Sequence, residues 1–253
     1  MELFIDWLIG EMGTPGEYSY TPMHYISTGI VVAAVVLLGL VAWLCRNNPK
    51  STRAWLVGVC IFQLTFEVGW RLIYWLVKGD SPLCWWPMYP CNLNGLLIPI
   101  AALCKLQRMK KLFYLFGFVG GVLTFALPDG IFSTDVFVFP ILKSVLQHTG
   151  LLIIPVMELV GGSYRPSLRH MGWVTVGCLI HIFNCEVLDR LLGFTGDYMF
   201  LRGDLPFVIP GVPQWITMLV FGFVVLCVLS FLCDIKDSCR FLRFGKRRES
   251  IVN

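Results

Sequence analysis

The residues able to do chemistry in this chain are few and fall in short stretches. Cys91 follows Pro90 and is followed by Asn92 and Asn94, while Gln147 and His148 stand together shortly after Lys143. Glu67 and Arg71 are four residues apart and share a face if their segment is helical. His181, Asn184, Glu186 and Asp189 close another run. A cysteine with a histidine in reach permits nucleophilic acyl transfer, because imidazole takes the thiol proton and leaves a thiolate to attack a carbonyl. Asn92 or Asn94 would donate to the oxyanion that then develops. Pro90 marks a helix start, where unpaired backbone N–H groups and the helix dipole favour a thiolate at Cys91. Glu67, Arg71, Lys143, Gln147, His181 and Asn184 would bind a polar or charged part of a substrate.

Each assignment has a plainer alternative. A cysteine in an apolar run is commonly a small packing residue. Glu67 and Arg71 can simply pair with each other, and a buried histidine often joins two helices by a hydrogen bond. His24, beside the outer end of the first apolar run, and His170, at the inner boundary of another, carry no comparable context. Ser133 and Ser144 lack the nucleophile elbow used in Ser-His-Asp hydrolysis. A zinc site from His148, His181 and carboxylates has no HExxH or similar spacing behind it. No metal or other cofactor is expected.

These residues must be positioned by membrane helices. The chain has 253 residues, 57% hydrophobic and only 14% charged, with a mean hydropathy of +0.72. A soluble domain carries roughly a quarter charged residues. The composition therefore excludes a soluble globule, a disordered chain, a coiled coil and a disulfide scaffold, and requires an all-α polytopic membrane protein. A spanning helix needs about 20 mostly apolar residues. Seven stretches qualify, at about 24–45, 54–77, 88–104, 112–128, 139–160, 170–190 and 214–233, within one domain over 1–253. The third is the weakest, being broken by Pro87, Pro90 and Pro99. A six-span arrangement, with 88–104 only dipping into the bilayer, is the alternative. The Gly- and Pro-rich stretch between the last two reads as a structured or re-entrant loop.

Charge placement favours seven spans with the N-terminus outside and the C-terminus inside. In that arrangement 15 of the 20 Lys and Arg residues fall in the inward segments 46–53, 105–111, 161–169 and the tail after 233. That is a strong positive-inside signal. The basic tail reads as a topology signal and headgroup contact, and no nucleic-acid partner is expected. No cleavable signal peptide is expected, because the first apolar run is long and preceded by acidic residues. With this topology Glu67, Arg71, Cys91, Asn92, Asn94, Lys143, Gln147, His148, His181 and Asn184 converge in the outer half of the bilayer, which predicts a polar cavity there. Cys84 lies on the same side as Cys91, and a disulfide between them would disable the thiol.

Several of these residues sit in motifs that resemble a known family. Tyr89-Pro90-Cys91-Asn92-Leu93, Gln147-His148 with Pro155, Gly161-Gly162-Ser163-Tyr164-Arg165-Pro166 and Asp197-Tyr198-Met199-Phe200-Leu201-Arg202 occur in that order. Together they resemble the YwaF-like family of bacterial integral membrane proteins, which is similar to the eukaryotic transmembrane protein 164. The resemblance covers about residues 1–235. It implies a cysteine-dependent acyltransferase acting on a phospholipid or lysophospholipid, with Cys91 as the acyl-accepting nucleophile and His148 as its base. Many bacterial members carry a His two positions before the Cys, where this chain has Tyr89. The late Tyr198-Met199-Phe200-Leu201 motif matches the bacterial group and implies a bacterial plasma membrane. The residues alone leave open a seven-helix transporter or small-molecule-binding protein without covalent chemistry, and say nothing of oligomeric state.

Overall fold

Prolines open half of the numbered helices. The computed structural model describes residues 2–10, 17, 19–79, 85–128, 131–132, 136–194, 196–201 and 209–241. Cys84, Ser133, the middle of the Gly- and Pro-rich stretch and the tail beyond 241 lie outside these residues. The helices are α1 (Glu2–Ile9), α2 (Pro22–Cys45), α3 (Pro49–Lys78), α4 (Pro90–Leu103), α5 (Gln107–Ala126), α6 (Phe139–Val160), α7 (Met171–Phe183) and α8 (Gln214–Cys233). Helices α2, α3, α4 and α6 carry Pro in their first turn, where its missing N–H removes no helical bond. Thr21 and Asn48 cap α2 and α3 by accepting from His24 N at 3.4 Å and Ser51 N at 3.2 Å. A π-helical turn, Asn184–Leu188, continues α7 before the short helix Asp189–Leu191.

Among the described residues, six helical stretches are long and apolar enough to cross a membrane. They are α2, α3, α5, α6, the 168–191 stretch and α8. The chain is an integral membrane protein of helical type. The stretch expected at 88–104 is shorter than a span: α4 has 14 residues, or about 21 Å of helix, against about 30 Å of hydrocarbon. Arg53, near the start of α3, donates to Ala102 O at 2.8 Å and Leu103 O at 2.6 Å at the end of α4. The two helices therefore run antiparallel, and α4 stops level with the start of α3.

Helix α6 is the hub. In its apolar window 61% of residues are buried, against 11% in α2 and in α8, because α2, α3, α4 and α5 all pack on it. Glycines let α5 approach its neighbours: a Cβ on Gly117 would meet Ile98, and one on Gly121 would meet Leu152 at 3.0 Å. Gly177 of α7 is tighter still, since a Cβ there would collide with the Leu112 carbonyl of α5. Helix α5 also begins earlier than the sequence suggests. Lys110, expected in a basic loop, is the fourth residue of α5 and is buried in an ion pair with Glu158 of α6.

Candidate functional site

Helix α4 starts well short of the end of α3 and about level with the first turns of α6. Its first turn adjoins Lys143 and, through it, Glu67, whereas α3 extends eleven residues past Glu67, about 16 Å at 1.5 Å per residue. Backbone polar groups buried among membrane helices must be satisfied by protein. Tyr89 O accepts from Asn92 N at 3.0 Å and from Leu93 N at 3.1 Å. The carbonyls just before the helix are taken by the end of α7. Asn184 Nδ2 donates to Pro87 O at 2.9 Å, and Cys185 Sγ lies 3.3 Å from Met88 O. The π turn begins at Asn184, and such turns recur at functional sites.

Five of the expected residues, drawn from three helices, form one network. Lys143 Nζ lies 3.1 Å from Glu67 Oε2, 2.7 Å from Gln147 Oε1 and 3.4 Å from Asn92 Oδ1. Gln147 Nε2 donates to Asn92 Oδ1 at 3.0 Å, and Arg71 Nη2 donates to Glu67 Oε1 at 3.0 Å. Two donors on Asn92 Oδ1 settle its amide orientation, so Nδ2 is left to donate elsewhere. Cys91 carries a free thiol, half-buried, 3.9 Å from Asn92 Oδ1. Glu67 supplies one negative charge against Arg71 and Lys143, so the network is positive by one charge.

His148 sits one residue beyond Gln147 and is fully engaged on one side. Its Nδ1 lies 2.7 Å from Ser144 O. A carbonyl only accepts, so Nδ1 carries the proton and Nε2 is the basic nitrogen. Ser144 Oγ is 3.4 Å from the same Nδ1, a nitrogen that cannot take a serine proton in this tautomer.

The sequence model of the TMEM164 family matches residues 19–233. The chain belongs to the TMEM164 family. No curated protein and no solved structure matches it. In this TMEM164-family protein the matched segment runs from just before α2 to the end of α8 and includes every residue of the network.

Other expected site residues lie apart from it. Asn94 is buried on the other side of α4, against Gly117 of α5. His181 is buried between aromatic rings, stacked on Phe116 at 4.6 Å and edge-on to Phe113 at 5.7 Å. Neither of its ring nitrogens has a hydrogen-bond partner among the described residues. Among those residues, no group of three His, Cys, Asp or Glu side chains is placed to hold a metal ion. The sequence reading missed a second polar group at the basic end of the bundle. There Lys110 Nζ meets Glu158 Oε1 at 2.6 Å, both about 2% exposed, with Tyr114 and Cys60 buried nearby. The signal was available: Glu158 is the one acidic residue in the run 139–160.

Proposed function

We propose that this TMEM164-family protein is a membrane-embedded, cysteine-dependent acyltransferase acting on phospholipid acyl chains. It forms one domain that passes the bilayer seven times, with its N-terminus outside, in a bacterial plasma membrane. The observation that carries the reading is the placement of Cys91 in the first turn of α4, beside a network with surplus positive charge. An anion is needed to balance that charge inside a membrane. A Cys91 thiolate or a lipid phosphate supplies it.

In this reading His148 Nε2 takes the Cys91 proton, and the thiolate attacks an ester carbonyl of the donor lipid. The oxyanion formed is met by Asn92 Nδ2 within a polar recess in the outer half of the bilayer. Collapse breaks the ester bond. The leaving alkoxide takes the proton back from His148, departs as a lysolipid, and leaves the acyl group as a thioester on Cys91. The hydroxyl of an acceptor lysophospholipid then gives its proton to His148 and attacks the thioester. Collapse forms the new ester and releases the Cys91 thiolate, which His148 reprotonates. Water in place of the acceptor would make the protein a lipase.

An alkyne-tagged acyl donor offered to the purified protein in detergent tests this. Hydroxylamine-sensitive label on the Cys91 peptide, absent in Cys91→Ala, is the expected result. Unchanged labelling in Cys91→Ala overturns the nucleophile assignment. Donor lipid bound without any thioester would leave a binding or transport protein instead.

A further inference from the structure

A cavity lies away from the Cys91 network. It is a groove of about 560 Å³ between α2 and α3, floored by α6, within the roughly 300–1,000 Å³ of known ligand sites. Leu38, Trp55, Gly58, Phe62 and Ile153 line it, and Gln63 ends it at mid-helix with its amide against Gly150. Along α3 the groove runs from Ser51 to Gln63, about 18 Å at 1.5 Å per residue. Half of a roughly 30 Å hydrocarbon layer is about 15 Å, so the groove has the length of one leaflet's acyl chain.

Its Ser51 end is basic. Arg46 and Lys50 are exposed beside Ser51, and neither takes part in an ion pair among the described residues. The sequence has no acidic residue from 18 to 66. Trp43 and Trp55, each about half exposed, flank this end as interfacial aromatics do. Basic residues at the mouth of an inter-helix groove recognise anionic headgroups.

We propose that this groove binds one acyl chain of an anionic phospholipid from the leaflet at the basic end, with its phosphate at Arg46 and Lys50. The site is independent of Cys91 and of the acyl transfer proposed above.

Nanodiscs of phosphatidylcholine doped with phosphatidylglycerol carrying a diazirine in its acyl chain provide the test. After photolysis, labelled peptides from α2 and α3 are expected. Gly58→Leu fills the groove, and because the space around the Gly58 Cβ position is open the fold tolerates it. Its thermal midpoint is expected to match wild type while labelling of these helices is lost. Arg46→Gln with Lys50→Gln is expected to lower the preference for phosphatidylglycerol over an equally tagged phosphatidylcholine by roughly tenfold or more. Equal labelling in wild type and Gly58→Leu, or no headgroup preference in wild type, overturns the proposal. So does a wild-type dimer that Gly58→Leu converts to monomer, since a second copy would then cover the groove.

Discussion

Asn92 is the residue through which the candidate site is organised, because its side-chain oxygen is shared by Lys143 and Gln147 while its nitrogen stays available. If Nδ2 meets the oxyanion, Asn92→Leu lowers kcat by about 10²–10³ with little change in KM, read from transfer between defined lipids. His148→Ala costs about 10²–10⁴. Ser144→Ala is expected to stay near wild type, because the group that orients His148 is the Ser144 backbone carbonyl. Loss of activity in Ser144→Ala with retention in Cys91→Ala would make serine the nucleophile. Part of this was legible in the sequence. Glu67, Arg71, Asn92, Lys143 and Gln147 are polar residues in apolar runs, and in a bilayer such residues must find one another. The role of the Ser144 carbonyl was not legible, since every residue carries that group. Nor was the separation of Asn94 from Asn92, which depends on which faces of α4 meet α5 and α6.

At the scale of elements, ion pairs and loop contacts fix how the helices stand against each other. Lys110 and Glu158 join α5 to α6 with both charges out of water. Removing one partner of such a pair strands the other charge and costs about 3–5 kcal/mol, whereas replacing both by apolar groups is often neutral. Lys110→Met is therefore expected to lower the thermal midpoint in detergent markedly, and Lys110→Met with Glu158→Met to recover most of it. A double variant as unstable as the single would show that the pair is needed for itself. Hydropathy placed Lys110 in a loop because the apolar run begins just after it. Only its partner across the bundle reveals it as a helix residue. A second tie joins the start of the 168–191 stretch to the segment after α8, where Ser167 Oγ donates to Asp237 Oδ2 at 2.7 Å and Arg169 Nη1 to Oδ1 at 3.1 Å. The Ser167 hydroxyl and then the Arg169 guanidinium hold the Asp237 carboxyl below its ordinary range. A depressed folded pKa stabilises above the unfolded value, and that contribution is lost as pH falls through the folded one. The segment after α8 should stay docked through mild acid and loosen only below the usual Asp range. Hydrogen exchange of residues 234–241 is expected to show that acid limb in wild type and not in Asp237→Asn.

For the whole molecule, the open matter is how a 14-residue helix takes part in crossing a bilayer. The contacts trace the chain from end to end. Tyr20 and His24 at the start of α2 bond Ala126 O and Phe125 O at the end of α5, at 3.0 and 2.8 Å. The far end of α2 meets the start of α3 through Thr52 Oγ1 and Cys45 O at 2.8 Å. That same end receives α4 at Arg53. Gly161, just past the end of α6, lies against Thr52 there. Ser167 and Leu168, before α7, bond Asp237 and Ser238 beyond α8, at 2.7 and 3.2 Å. Helix α4 thus returns the chain to the basic end although it is too short to span alone. A pass through the bilayer would take its missing length from the segment before α4, whose Pro87 and Met88 carbonyls are bonded by Asn184 and Cys185 and would each cost several kcal/mol if left unpaired in hydrocarbon. Counting α4 as a pass puts the two ends of the chain on opposite faces of the membrane. Counting it as a dip puts them on the same face. Reporter tags at the N-terminus and after residue 241 are expected to report opposite compartments, and single cysteines at 48, 105 and 165 to be labelled from the same side as the C-terminal tag. Both tags on one face would reduce α4 to a re-entrant helix and remove the outward placement of Cys91.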